Sequence, residues 1–163
     1  MNIFKVNVDI TVYIISLVVV LLLILPIIDT IFYKNPIASN PLVVFIPIGV
    51  LVITLLFAPT SYVITKDQIF IKKVCGSIKL NKADIIDIAP PMSNDLKSSI
   101  RTFASGGLFG YFGKYKSPKL GNYNMYAGSM KANNLLVIRM RDGNKYVISP
   151  KRIDEFLLYA KNT

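Results

Sequence analysis

The segment with the strongest chemical character lies between positions 101 and 119, where glycines alternate with aromatic and basic side chains. Tyrosine and phenylalanine favour the headgroup level of a membrane, and lysine attracts anionic phosphates. This composition predicts a flexible loop that presents rings and cations to the membrane interface, or a pocket for a lipid headgroup. The candidate contact residues are Arg101, Phe109, Tyr111, Phe112, Lys114, Tyr115, Lys116 and Lys119.

The same segment also has a purely structural interpretation. Its glycines, Gly106, Gly107, Gly110 and Gly113, would permit bulges and sharp bends in a small β-barrel, and the aromatic rings would fill the space that they leave. Arg101 would then be paired locally within a strand. At this level both interpretations stay open.

Residues that could perform catalysis are scarce. The chain has no histidine, which removes the commonest general base and the commonest metal ligand. Its single cysteine, Cys75, excludes an internal disulfide and a cysteine metal cluster. The segment Gly113-Lys114 lacks the flanking residues of a phosphate-binding P-loop. We therefore expect a non-enzymatic protein with no cofactor and no metal ion.

The charges are distributed unevenly along the 163 residues. Before Thr60 two lysines balance two aspartates, whereas the rest of the chain has 17 Lys and Arg against seven Asp and Glu. The whole net charge of +10 therefore belongs to the C-terminal part. Such a surface is either simply solvated or attracts an acidic partner: anionic lipid, nucleic acid or an acidic protein. Nucleic acid is not expected, because no RNA-binding motif is present.

Two apolar runs precede this basic part of the chain. Residues 10–28 contain no charge, and neither do residues 42–58, although Pro47 and Gly49 interrupt the second run. At about 1.5 Å of rise per residue, the first run matches the hydrocarbon core of a bilayer. We expect transmembrane helices over about residues 10–30 and 42–58, with an interfacial hairpin arm as the alternative for the second.

The connector between the two runs is short, which predicts an antiparallel helical hairpin over residues 1–59 and a domain over residues 60–163. The connector contains one lysine, Lys34, whereas five lysines follow soon after the second run. By the positive-inside rule, the domain lies in the cytoplasm and the chain is integral to the plasma membrane. A cleaved signal peptide is the alternative for the first run, but no A-x-A-like site follows it.

After position 60 the pattern changes to short runs typical of β-strands, and a helix follows them. Asp142-Gly143 supplies the positive φ values that a tight hairpin needs. Ser149 is suited to cap a helix and Pro150 to begin it. The sequence therefore predicts an α+β domain of six or seven strands closed by one amphipathic helix. The predicted strands are residues 61–65, 69–74, 77–80, 85–88, 96–103, 135–140 and 145–148.

This order of elements resembles the pleckstrin-homology-like (PH-like) fold, a bent antiparallel sheet or partial barrel capped by its final helix. The glycine–aromatic run resembles more specifically the signature of a bacterial PH-domain family, whose members are often small membrane proteins with two helices before the domain. One departure is Gly128, where that family tends to have a threonine. The residues that carry the resemblance are 101–115, Leu120-Gly121, Met125-Tyr126-Ala127, 146–150 and Phe156.

The resemblance implies a fold more than an activity, since the family has no established function. We expect an integral protein of the bacterial inner (plasma) membrane that presents a basic PH-like domain at the cytoplasmic surface. This domain would bind lipid headgroups or a protein partner. The alternative is a scaffold or assembly subunit that binds through its helices or a sheet edge, with no lipid ligand. The oligomeric state is left open.

Overall fold

The computed structural model describes residues 1–33, 41–92 and 95–161. Most of the predicted connector between the helices, residues 34–40, lies outside the described residues. The helices are α1 (Ile10–Tyr33), α2 (Pro41–Phe57) and α3 (Ile153–Lys161). The strands are β1 (Asn2–Lys5), β2 (Pro59–Ile64), β3 (Gln68–Lys73), β4 (Ser77–Asn81), β5 (Ile85–Ala89), β6 (Ile100–Gly106), β7 (Tyr111–Ser117), β8 (Gly121–Ala127), β9 (Leu136–Met140) and β10 (Lys145–Ile148).

The first sheet contains four antiparallel strands in the order β1-β2-β3-β4. Its first strand, β1, is not among the predicted ones, because residues 1–59 as a whole are predicted to form the helical hairpin. β1 pairs with β2 and buries Phe4 against Phe156 of α3, with the ring centroids 5.2 Å apart. The chain therefore enters this sheet, leaves it for α1 and α2, and returns to it through β2.

The second sheet has the strand order β5-β9-β10-β8-β7-β6. The β9–β10 hairpin confirms the prediction from Asp142-Gly143. Two of the other strands, β7 and β8, were not predicted, and with β1 they bring the described total to ten rather than six or seven. The prediction of a strand over residues 96–103 is wrong in its first half. Ser98 has a φ of +58°, which interrupts extended backbone, and the strand begins at Ile100.

The main core joins both sheets and α3. Tyr62 of β2 is fully buried in it, and its hydroxyl donates to the carbonyl oxygen of Tyr126 on β8 (2.6 Å) and accepts from the backbone N–H of Ser149 (3.0 Å). Burial raises the pKa of the Tyr62 phenol well above its usual value. Phe156 of α3 is fully buried in the same core. The predicted α+β class, with PH-like sheets and a closing C-terminal helix, is thus confirmed.

A second apolar cluster contains Met125, Leu135, Val137 and Val147, which belong to the second sheet or, for Leu135, immediately precede it. These residues alternate with those of the main core along β8, β9 and β10, since successive side chains of a strand point to opposite faces. The cluster extends to Tyr115 on β7. The second sheet is therefore covered with apolar contacts on both faces.

Helices α1 and α2 lie within three residues of their predicted boundaries, and they contact each other. Hydrogen bonds attach the start of α1 and the end of α2 to the β-domain. The backbone N–H of Asp9 donates to the carbonyl oxygen of Gly128 (2.8 Å), and that of Cys75 donates to the carbonyl oxygen of Leu56 (2.9 Å). The chain therefore passes from the β-domain into α1, and from α2 back into the β-domain, at two hydrogen-bonded junctions.

Many described apolar side chains of α1 and α2 are exposed, for example Leu17, Leu22 and Phe45. Over the residues described in full, no helical stretch is both long enough and apolar enough to cross a membrane. The structure thus has helices at both predicted places, but it does not support their prediction as transmembrane spans.

Candidate functional site

The glycine–aromatic segment forms the β6–β7 hairpin at one edge of the second sheet. Within it, Gly113 lies opposite Ala104 and has a φ of +115°. A Cβ at this position would overlap the carbonyl oxygen of Phe103, so only glycine lets the two strands approach this closely. Gly113 therefore serves the sheet, as the structural interpretation of the segment predicts.

The turn between β6 and β7 lies against the first half of α1. The Oγ of Ser16 accepts a hydrogen bond from the backbone N–H of Phe109 (2.9 Å) and donates one to the carbonyl oxygen of Gly107 (3.3 Å). Gly107 has a φ of +118°, and a Cβ there would lie 2.7 Å from Cδ1 of Ile15. This turn is therefore a docking point for α1 rather than a free loop.

The four aromatic candidates occupy different depths. Phe112 and Tyr115 are buried, whereas Phe109 and Tyr111 are half-buried. The Tyr115 hydroxyl donates to the carbonyl oxygen of Ser105 (2.6 Å). Burial raises the pKa of Tyr115 to about 12, and the nearby positive charge of Arg101 partly opposes this shift. Tyr115 is thus a neutral core residue at ordinary pH.

The four basic candidates, Arg101, Lys114, Lys116 and Lys119, are all exposed. Within the described residues, none of them has a carboxylate oxygen within 4.0 Å. The guanidinium of Arg101 lies over the backbone of Gly106, where a Cβ would overlap it. These side chains therefore carry positive charge that is not neutralised by a neighbouring acid.

A groove of about 840 Å³ separates the C-terminal half of α2 from the face formed by β6, β7 and β8. Most of its surface is apolar, and it brings three of the candidates together: Arg101, Phe112 and Lys114. The other five candidates are not among its lining residues. The groove is also lined by Ile53 and Phe57 of α2, Phe103 of β6 and Tyr126 of β8.

Sequence reasoning did not assign Ser16, Ile53 or Phe57 to this region. Ser16 is one of the few polar residues in the first apolar run, and this exception was the only available signal for it. Ile53 and Phe57 are ordinary members of the second run. Only the tertiary arrangement shows that they face β6.

The departure from the family pattern at Gly128 has a structural reason. Gly128 forms a β-bridge with Val8, in the segment that leads into α1. A Cβ at Gly128 would lie 2.6 Å from the carbonyl oxygen of Asn7 and 2.9 Å from Cα of Val8. Glycine here lets the N-terminal segment lie directly against the β-domain.

Groups suited to metal binding do not come together in the described ranges. In the residues that the structure describes, no three His, Cys, Asp or Glu side chains cluster as metal ligands would. Ser129 is buried and donates a hydrogen bond to a carboxylate oxygen of Asp9 (2.7 Å). This contact holds the segment before α1 against the β-domain, which accounts for the buried Ser129 hydroxyl.

Two packed sheets closed by a C-terminal helix are the architecture expected of a PH-like domain. A family model described as the bacterial PH domain matches residues 60–162. The match covers well over half of the chain, so this protein belongs to the bacterial PH-domain family, which confirms the resemblance. PH domains commonly bind lipids or proteins and are generally not catalytic. No curated protein and no solved structure matches the chain.

Proposed function

We propose that this protein is a non-enzymatic bacterial membrane protein. Its basic PH-like domain lies at the cytoplasmic surface of the plasma membrane and binds anionic lipid headgroups, while α1 and α2 are embedded in the lipid. The observation that carries the proposal is the helical pair itself. It is apolar, its described side chains are largely exposed, and it is joined at both junctions to a strongly basic domain.

The exposed side chains on the helical pair need an apolar environment. Leu17 is 60% exposed, Leu22 58% and Phe45 68%. Soluble monomers rarely expose contiguous apolar patches of more than a few hundred Å², and larger ones mark contacts with membranes or proteins. Lipid would cover the outward faces of both helices without any further partner.

The attachment of the helices places basic side chains close to the lipid. Phe57, the last residue of α2, lies under the ammonium group of Lys73, which is 4.8 Å from the ring centroid. Lysine and aromatic residues at the end of an apolar helix suit the headgroup region of a bilayer. Each such cation near an anionic surface contributes about 1 kcal/mol of attraction.

Extraction of the full chain from bacterial membranes tests the attachment. Washing with high salt and then with alkaline carbonate should leave the protein in the membrane pellet, because embedded helices resist both. A variant with Leu17, Leu21 and Leu22 all changed to Lys should be released, since charges within the helix oppose insertion. Release of the unchanged chain by carbonate contradicts the proposal.

Lipid retention tests the headgroup preference separately. The full chain in detergent is offered equal amounts of phosphatidylglycerol and phosphatidylcholine, and the retained lipids are counted by native mass spectrometry. Phosphatidylglycerol should be retained preferentially, and added salt should reduce the preference. Equal retention of both lipids contradicts headgroup binding and leaves the attachment intact.

The single cysteine allows a test of sidedness without an engineered label. Cys75 is exposed, in the turn between β3 and β4 close to the end of α2. A membrane-impermeant maleimide should label Cys75 only after spheroplasts are permeabilised, and Cys75→Ser should remain unlabelled throughout. Labelling of intact spheroplasts would place the domain outside the cytoplasm.

A protein partner is the second candidate, and strand β6 is the observation that favours it. β6 is an edge strand, and Ile100 and Phe103 on it are 68% and 85% exposed. An extended segment of another protein can add to such an edge. A photocrosslinker at Ile100 should then capture one specific neighbour in membranes, and capture should be lost when Phe103 is changed to Ser. Crosslinks to lipid alone contradict this candidate.

A further inference from the structure

We infer that the groove between α2 and the β6–β7–β8 face holds one acyl chain of an anionic phospholipid, whose phosphate is bound by Lys114. The inference rests on the proposed membrane attachment, and it assigns the lipid to one site.

Strand register gives the groove its composition. Phe103 pairs with Lys114, and Phe112 pairs with Tyr126 of the next strand. Because alternate residues of a strand share a face, these side chains line one side of the sheet together. α2 contributes Ile53 and Phe57 from the opposite side. The result is an apolar body with one basic group, Lys114, at its margin.

The apolar body is open, and it is continuous with the surface proposed to contact lipid. Phe103 is 85% exposed, and Phe57 and Ile53 are 48% and 59% exposed. The exposed face of α2 continues from Ile53 to Val50, one turn further from the β-domain. An acyl chain can therefore pass from the surface of α2 into the groove without crossing a polar barrier. This continuity favours a membrane lipid over a peptide.

The basic margin matches the phosphate of such a lipid. Lys114 lines the groove on β7 and shares its face of the sheet with Phe112. Arg101 pairs with Tyr115, so its side chain lies on the opposite face. Lys114 has no carboxylate within 4.0 Å among the described residues. An ammonium group forms strong charge-assisted hydrogen bonds with phosphate oxygens. The groove thus has a basic group beside an apolar surface, as a phospholipid has a phosphate beside its acyl chains.

The size of the groove also fits a lipid chain. Its volume of about 840 Å³ lies within the range of roughly 300–1,000 Å³ that is typical of ligand sites.

Photolabelling of the full chain in nanodiscs tests the assignment. The probe is phosphatidylglycerol with a diazirine on one acyl chain, and labelled residues are located by mass spectrometry. Labels should concentrate on Ile53, Phe57 and Phe103. A uniform distribution over the outward faces of α1 and α2, with none on Phe103, overturns the inference. Crosslinks that join two copies of the chain through Phe103 also overturn it, since the occupant is then a second copy.

Single substitutions test the phosphate contacts. Lys114→Ala should reduce labelling of the groove by phosphatidylglycerol about fivefold, as expected for one cation near an anionic group. Labelling by a matched phosphatidylcholine probe should not change. Lys119→Ala removes the same charge from the turn between β7 and β8, outside the groove, and should have no effect. If Lys119→Ala is as damaging as Lys114→Ala, the basic surface as a whole attracts the lipid and the site is refuted.

The outcomes separate the inference from the proposed function. If the full chain retains phosphatidylglycerol and phosphatidylcholine equally, headgroup binding itself is refuted. If it prefers phosphatidylglycerol but the label lies outside the groove, headgroup binding stands and the site is wrong.

Discussion

The hairpins β9–β10 and β6–β7 belong to one sheet but depend on different parts of the chain. β9–β10 turns at Asp142-Gly143, where the backbone N–H of Asn144 donates to Oδ1 of Asp142 (2.8 Å) and Gly143 has a φ of +82°. The β6–β7 turn has a local hydrogen bond from the backbone N–H of Gly107 to the carbonyl oxygen of Gly110 (3.1 Å), but it is also held by Ser16, which precedes its partner Phe109 by 93 residues. One hairpin is specified locally, and the other depends in addition on the helix that it contacts.

This difference explains the different uses of glycine in the two hairpins. Gly143 supplies the positive φ of its turn, and no atom lies within 4 Å of the position that a Cβ would take. Gly113 and Gly107 provide close approach, to β6 and to α1. A glycine that serves close approach should tolerate substitution far less than a glycine that serves only a turn.

The largest expected effect is therefore a contrast between two alanine substitutions. Gly113→Ala combines a strained φ with overlap of the Phe103 carbonyl oxygen, and should lower the free energy of unfolding by about 3 kcal/mol or more. Gly143→Ala should cost about 1 kcal/mol, from the positive φ alone. Chemical denaturation of the full chain in detergent measures both. Equal losses would show that the two hairpins do not differ in this way.

A smaller effect is expected from the contact between the β6–β7 turn and α1. Ser16→Ala removes both hydrogen bonds to the turn and should cost about 1 kcal/mol. Hydrogen exchange at the Phe109 amide should become faster, because its acceptor is lost. Thr54→Ala is the matched control, since the Thr54 hydroxyl donates only within α2, to the carbonyl oxygen of Val50. Unchanged exchange at Phe109 in Ser16→Ala contradicts the docking of this turn on α1.

A substitution at Tyr115 should have the smallest effect on stability at neutral pH but a clear effect at high pH. In the unfolded chain this phenol ionises near pH 10, whereas burial raises its pKa in the folded state to about 12. The folded state therefore keeps a proton that the unfolded state loses, and stability falls as pH rises from about 10 to about 12.

Tyr115→Phe should remove part of this alkaline loss of stability. Tyr146→Phe, in the β9–β10 hairpin, should remove less of this loss, because Tyr146 is only half-buried, although burial and then Asp142 also raise its pKa. Denaturation at a series of alkaline pH values measures the difference. If Tyr115→Phe and the unchanged chain lose stability with the same pH dependence, the alkaline loss does not arise from Tyr115.

The contrast between the hairpins also shows what could be predicted from sequence. The positions of α1, α2, α3 and the β9–β10 hairpin follow from local signals such as the turn at Gly143 and the apolar spacing of α3. The prediction that Ser149 caps α3 and Pro150 begins it is wrong, because α3 begins at Ile153 and the Oγ of Ser149 accepts instead from the backbone N–H of Gly128 (2.8 Å). Strands β1, β7 and β8 do not follow from local signals. β7 contains lysines and a glycine whose purpose is a contact with β6, and β1 is defined by its pairing with β2. Their structure depends on pairing with distant segments.

The candidate site could be predicted only in part. Phe112 and Lys114 were identified from composition, and they meet at the groove, whereas Arg101 lies on the edge strand β6 and pairs with Tyr115. Tyr115 was identified by the same reasoning but lies in the core, because alternation along β7 places it on the opposite face from Lys114. The wall formed by Ile53 and Phe57 required the position of α2. Composition thus indicated the segment, and register determined which of its residues are accessible.

A spin label on each of the two regions provides the most direct test of the central claim, that α1 and α2 lie in lipid while the β-domain lies in water beside it. One label is attached to the native Cys75, and the other to Leu21→Cys in a Cys75→Ser background, both in nanodiscs. The account predicts that the Leu21 label collides mainly with dissolved oxygen and the Cys75 label mainly with an aqueous nickel chelate. A Leu21 label that is as accessible to nickel as the Cys75 label would contradict it.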